Sequence, residues 1–171
     1  MYKLRELERK DIERINRWRN DRELISFLGA PFRFINRDVE ENWYDNYMKN
    51  RNSTIRCAIT LEDNDEIIGL VTLANIDYIN RCAELHIMIG NEYQNKGAGK
   101  YAVKNILDYA FKDINLNRVE LSALESNERA IGLYRKMGFM VEGISRKAYY
   151  KDGKFVNKIE MAVLREEYFE N

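Results

Sequence analysis

The chain predicts an α/β (mixed α+β) fold: one domain spanning residues 1–171, on a central, mostly antiparallel mixed sheet of about six to seven strands, with helices on both faces. Three observations carry this. Strand patterns cluster as hairpins in the first half and at the end of the chain, while the middle alternates strand, helix, strand, helix. The 171 residues suffice for one well-buried core and do not require two. No repeat or low-complexity segment interrupts the pattern, and Pro31 is the only proline.

In chain order, Tyr2–Leu7 reads as a first strand, and Asp11–Arg19 as a helix with Ile12, Ile15 and Trp18 along one stripe. Leu28–Phe34 is a loop holding Gly29 and Pro31. Asn36 is the expected N-cap of a helix to Lys49, with Asp38, Glu40 and Glu41 in its first turns. Thr54–Leu61 and Glu66–Ile76 form a hairpin turning at Glu62–Asp65. A turn at Asp77–Arg81 leads to the strand Cys82–Ile89. The helix Tyr101–Lys112 presents Val103, Ile106, Leu107, Ala110 and Phe111 on one face. Strand Arg118–Leu124 and helix Asn127–Met137 follow, and a hairpin of Phe139–Tyr150 and Phe155–Leu164 closes the chain.

Composition narrows the function classes. Lys plus Arg equals Asp plus Glu at 28 each, which leaves no electrostatic footprint for nucleic acid. No apolar run reaches the roughly 18 residues of a membrane span, and the charged N-terminus is unlike a signal peptide. A cytoplasmic protein with no membrane or nucleic-acid partner is expected. Cys57 and Cys82 lie within strands and read as reduced thiols, and a single histidine, His86, argues against a His-based metal centre.

The segment Gln94-Asn95-Lys96-Gly97-Ala98-Gly99-Lys100 stands between a strand and a helix. Its glycines let backbone N–H groups approach a ligand, and the helix start adds unpaired donors and a positive dipole end. A phosphate-bearing ligand fits this chemistry. A P-loop does not, because Gly99-Lys100 is followed by Tyr101 where a metal-binding hydroxyl belongs. Gly97, Gly99 and Ala102 satisfy the dinucleotide fingerprint, with Glu120 about twenty residues on. Yet Gly97 comes eight residues after Ile89 instead of directly after the strand. A plain turn into a helix is the remaining alternative.

Two motifs together carry a resemblance. Gln94-x-x-Gly97-x-Gly99 is followed about thirty residues later by Asn127-x-x-Ala130-x-x-x-Tyr134-x-x-x-Gly138-Phe139. In this order they resemble the GNAT superfamily of N-acetyltransferases, over essentially the whole chain. Trp18-Arg19-Asn20-Asp21 and Gly138-Phe139-Met140-Val141-Glu142-Gly143 look most like the branch holding ribosomal-protein N-terminal, spermidine and amino-sugar-nucleotide acetyltransferases. The resemblance implies a GNAT-like fold and acetyl-CoA as acetyl donor, with no metal. Gln94, Asn95, Lys96, Gly97, Ala98, Gly99 and Lys100 would cradle its pyrophosphate. Ile87, Met88 and Ile89 would pair with the pantetheine, and Asn127, Ala130 and Tyr134 would contact the cofactor. It also implies direct attack by an amine in a ternary complex, and a possible homodimer. A non-catalytic acyl-CoA-binding or sensing module and an NAD-binding oxidoreductase are the alternatives.

Tyr134 stands where the family places its general acid; a phenol of pKa about 10 can protonate a thiolate whose acid has pKa about 8.5. It also belongs to the stripe Ala130, Ile131, Tyr134, Met137, so a core tyrosine is the competing reading. An alkylamine of pKa about 10.4 is neutral at pH 7 in roughly one molecule per 2,500, a deficit of about 4.6 kcal/mol. Glu84 is the candidate proton acceptor, with His86 or a water chain as alternatives. Strand alternation puts Glu84, His86 and Met88 on one face and Leu85, Ile87 and Ile89 on the other. On the acceptor side, Glu40, Glu41 and Asp45 with Trp43, Tyr44 and Tyr47 suit a cationic amine, or form an ordinary acidic helix start with aromatics toward the core. Tyr149, Tyr150 and Lys151 are equally ambiguous. The acceptor, a small amine or a peptide amine, stays open at this level.

Overall fold

The computed structural model describes residues 1–170. Period-two alternation in the strand segments resolves into seven strands: β1 (Tyr2–Glu6), β2 (Ile55–Leu61), β3 (Ile67–Asp77), β4 (Cys82–Ile89), β5 (Arg118–Leu124), β6 (Met140–Lys151) and β7 (Lys154–Leu164). They form one sheet in the order β1-β2-β3-β4-β5-β7-β6. Every neighbouring pair is antiparallel except β4 and β5, which run parallel. The mixed, mostly antiparallel sheet expected from the sequence is therefore realised.

Helices α1 (Ile12–Arg19), α2 (Arg22–Ser26), α3 (Arg37–Lys49), α4 (Ala98–Asp108), α5 (Glu128–Lys136) and α6 (Arg165–Glu170) complete the fold. Among the described residues none is long and apolar enough to cross a membrane. Two buried clusters lie on opposite faces of the sheet. Ile15 and Trp18 of α1, Leu24 of α2 and Tyr44 and Tyr47 of α3 pack on Ala58, Leu70 and Met88. Val103, Ile106, Leu107 and Phe111 join Ile131 and Tyr134 of α5 on Ile59, Val71, Leu73, Leu85 and Leu121. Strand alternation produces this split, since residues two apart share a face.

The structure adjusts several expected boundaries. Asp21 accepts a hydrogen bond from the N–H of Leu24 (3.1 Å) and so starts α2, a five-residue helix the hydrophobic period is too short to reveal. Helix α4 begins at Ala98 instead of Tyr101, and ends in a π-turn over Tyr109–Asp113 that brings both Ala110 and Phe111 inside. Leu7 lies just beyond β1 yet is buried. Asn36 caps α3 as expected, accepting from the N–H of Val39 (2.9 Å).

Gly69 fixes the close approach of β3 to β4. A Cβ there would stand 2.6 Å from the carbonyl oxygen of Met88 and 2.7 Å from Cδ1 of Ile89. The backbone contact cannot be relieved by a rotamer change. Gly69→Ala is expected to cost about 1–3 kcal/mol, the range of overpacking, read as a lower urea midpoint. An unchanged midpoint would show that the two strands re-space freely.

Candidate active site

Strand β4 keeps β3 as its partner through Ile89↔Gly69, but pairs with β5 only over Cys82↔Arg118, Ala83↔Val119 and Glu84↔Glu120. Beyond Glu120, β5 stays with β7, through Leu124↔Lys158. The two strands therefore part, and from Leu85 onward β4 has no ladder partner on its β5 side. Its free N–H and C=O groups need water or a ligand. A cleft of about 300 Å³ opens there. Ile87, Met88 and Ile89 form one wall; Asn127, Ala130, Leu133 and Tyr134 from the start and inner face of α5 form the other. Leu24, Phe27 and Leu28 close one side.

The glycine segment sits at the mouth. Gly97 takes a left-handed φ of 89° as N-cap of α4, and a Cβ there would meet nothing within 4 Å. The first N–H groups of α4 have no intrahelical partner, the chemistry on which a phosphate cradle would draw. Gln94, Asn95, Gly97, Gly99 and Lys100 line the cleft. Ala98 is buried beneath it as the first apolar residue of α4, and Lys96 points away, its carbonyl accepting from the Tyr2 hydroxyl (2.5 Å) and its ammonium lying over the Tyr93 ring.

Gln94 is the keystone of this mouth. Its Nε2 donates to the Ile89 carbonyl (3.1 Å), and its Oε1 accepts from Arg129 Nη2 (2.6 Å). Arg129 also reaches Asn95 Oδ1 (3.4 Å). The role of Arg129 in tying the two motifs together is not legible from spacing, which allows it either to reach the phosphates of the donor or to solvate its face. Asn127 caps α5 by accepting from the N–H of Ala130 (3.1 Å), and its amide donates to the Phe27 carbonyl (3.0 Å). One side chain thus joins α5 to the end of α2.

Tyr134 is held by the end of its own helix. Phe139 N–H bonds to the Tyr134 carbonyl (3.0 Å) and Gly138 N–H to that of Arg135 (3.1 Å), with Gly138 at φ 90°. This is a Schellman closure, and its hydrophobic contact is the Tyr134–Phe139 ring pair, centroids 5.8 Å apart. Tyr134 is 8% exposed and lines the cleft. Burial pushes its phenol up to about 12, so it stays protonated at neutral pH and keeps a proton to donate.

Glu84 stands outside the cleft lining, on the last rung before the strands part. Its carboxylate accepts from Asn75 Nδ2 (3.1 Å) and lies 3.5 Å from His86 Nε2. His86 is 56% exposed on the same face. That face also carries Ser122, bonded to the Tyr149 hydroxyl (3.0 Å), and Tyr149 packs against Gly29. Lys151 donates to the carbonyls of Ile25 and Ala30, pinning the hairpin end to the segment after α2.

The acidic and aromatic residues of α3 are already engaged. Glu40 is fully buried with Arg19 Nη1 at 2.9 Å, Glu41 bonds Arg37 (2.8 Å) and Asp45 pairs with Arg9. Arg19 and Arg56 lie over Trp43 at 4.3 and 4.6 Å, and Arg9 over Tyr44 at 5.0 Å. Their expected role as a cation pocket has no free carboxylate or open ring behind it.

The comparisons agree with this geometry. The model of the Acetyltransferase (GNAT) domain family matches residues 2–140. The chain is 33% identical over 168 residues to the spermidine N(1)-acetyltransferase of Escherichia coli K12, covering 97% of this chain and 87% of that one. A putative ribosomal N-acetyltransferase of Bacillus subtilis is 31% identical over 102 residues, 60% of this chain and 56% of that one. The crystal structure of a Vibrio cholerae spermidine N-acetyltransferase in complex with CoA and spermine superposes with a TM-score of 0.92 at 30% identity, covering 98% of both chains. With its splayed strands, its glycine cradle and Tyr134 on the far wall, the chain belongs to the GNAT acetyltransferase family and uses acetyl-CoA as its acetyl donor.

Proposed function

We propose that the acceptor is a small primary amine, a polyamine or an amino sugar, and that Tyr134 and Glu84 manage the two protons of the transfer. The observation that carries the reading is the placement of the protonated, cleft-lining Tyr134 opposite the unpaired edge of β4. A relative that aligns over 97% of the chain is named for a small amine, whereas the ribosomal relative aligns over 60% of it. Both observations favour a small acceptor over a polypeptide terminus.

In this reading the N–H groups around Gly97 and Gly99 hold the pyrophosphate of the donor, and Ile87–Ile89, with the Ile89 carbonyl already taken by Gln94, present the rest of their backbone edge to its pantetheine arm. A β4 N–H polarises the thioester carbonyl as the amine attacks. The carbon–nitrogen bond forms and the carbon–sulfur bond breaks. Tyr134 gives its proton to the leaving thiolate, and Glu84 takes the amine's proton directly or through water. His86, 3.5 Å from Glu84, is placed to relay it onward.

A thiol-release assay with acetyl-CoA tests the class: turnover is expected with spermidine or an amino sugar and none with peptides bearing free N-termini. Peptide turnover alone would sink the small-amine reading. Tyr134→Phe is expected to lower kcat by tenfold or more while acetyl-CoA still binds; unchanged turnover removes Tyr134 from the mechanism. The phenol remains protonated until the pH approaches about 12, so its ionisation does not set a basic limb below pH 10. Glu84→Gln is expected to lower kcat/KM at pH 7 by about a hundredfold, within the range for a general base, with the deficit shrinking as the pH nears the amine pKa. A deficit independent of pH would mean that Glu84 only positions its neighbours.

A further inference from the structure

The sheet face that carries Glu84 has a feature that acetyl transfer does not use. Arg56 of β2 stands beside Thr72 of β3, and Thr72 beside His86 of β4, in one row across the sheet. Its guanidinium lies between two rings, 4.6 Å from the Trp43 centroid and 4.7 Å from that of Tyr47. Among the described residues no carboxylate or hydrogen-bond acceptor meets its side chain. Burial, with repulsion from Arg19, pushes this guanidinium below its usual range. A half-buried cation with unmet donors is costly unless something anionic pairs with it.

The surroundings specify the kind of anion-bearing group. Arg56 borders a hollow of about 530 Å³ with Asn42, Trp43, Asn46, Asn50 and Thr54, and no carboxylate lines it. The three asparagine amides and the Thr54 hydroxyl match a hydroxyl-rich ring. The segment 27–36 between α2 and α3 contributes Arg33 and no Asp or Glu. Glu40, Glu41 and Asp45, which a polycation would need, already hold Arg19, Arg37 and Arg9. Register places Arg56 and His86 in one row on the same face, their strands about 10 Å apart, two sheet spacings.

We propose that Arg56 is a specificity-determining residue that binds an anionic group on the acceptor, which is a hydroxyl-rich amine bearing a phosphate or carboxylate, of the amino-sugar-phosphate kind, and not an all-cationic polyamine. The amine faces Glu84 and His86, the hydroxyls meet the asparagine amides, and the anion takes the bidentate fork of Arg56. This rests on the small-amine reading above and narrows it.

Steady-state thiol release with glucosamine 6-phosphate, glucosamine and spermidine as probes tests it. Glucosamine 6-phosphate is expected to exceed glucosamine in kcat/KM by about tenfold or more, chiefly through KM, the factor a charged hydrogen-bond pair carries. Arg56→Gln is expected to collapse that ratio toward one, and Arg56→Lys to restore part of it, with acetyl-CoA binding as the check that both variants fold. A preference for spermidine, equal use of the phosphate and its neutral parent, or an Arg56→Gln effect on both amines alike overturns the proposal while leaving the small-amine reading intact. Turnover of none of the three by a chain that binds acetyl-CoA overturns both.

Discussion

The three-rung limit on the β4–β5 ladder is the constraint around which the rest of the molecule is arranged. Each strand has a stronger claim on it elsewhere: β4 follows β3 to Ile89, and β5 follows β7 to Lys158. With the right-handed twist accumulating on both sides, the parallel pair separates after Glu84↔Glu120. The separation leaves a row of backbone groups on β4 that no other strand can satisfy. A sheet that ended this way without use would carry an unmet cost. The cleft opens at this gap, with α4 starting at one end of it and α5 forming its far wall.

The two sequence motifs are two ends of one mechanical unit. Gly97 turns the chain into α4, and Gly138 turns it out of α5; both sit at left-handed φ, where a side chain is strained. Between them, Arg129 holds Gln94, so the cradle and the helix bearing Tyr134 keep a common frame. Asn127 extends that frame to Phe27 across the cleft. The spacing from Tyr134 to Gly138-Phe139 follows from the Schellman geometry, which requires the closing residue five positions after the carbonyl it caps. The motif is therefore a statement about how Tyr134 is aimed as much as about its chemistry.

Alternation made the strands legible, and β4 and β5 fall at the boundaries the pattern predicts. Elements too short for a period were not legible: α2 and α6 have five and six residues. The start of α4 was missed because its first buried position is Ala98, a residue too small to register as part of a hydrophobic stripe. The positions of the glycine turn before α4 and of Tyr134 on α5 were legible because local spacing fixes them. Glu84 and its neighbours were placed on the correct face by parity alone. Arg56, by contrast, reads in sequence as one more strand cation. Its meaning depends on Trp43 and Tyr47 arriving from an earlier helix and on register to His86 two strands away, and no local pattern encodes either.

Charge balance links Arg56 back to the proton problem. A carboxylate or phosphate near an ammonium favours the charged amine and raises its pKa, and each unit adds about 1.4 kcal/mol to the cost of the neutral nucleophile. An acceptor carrying its own anion would therefore be harder to activate than a simple amine if that anion lay bare. Holding it in the fork of Arg56 cancels its field at the amine. Arg19 is not available for this, because it already lies 2.9 Å from the buried Glu40. The unpaired guanidinium is thus what an anionic acceptor needs from the protein: it binds one end of the molecule and, by doing so, leaves Glu84 an amine no more basic than its neutral analogue.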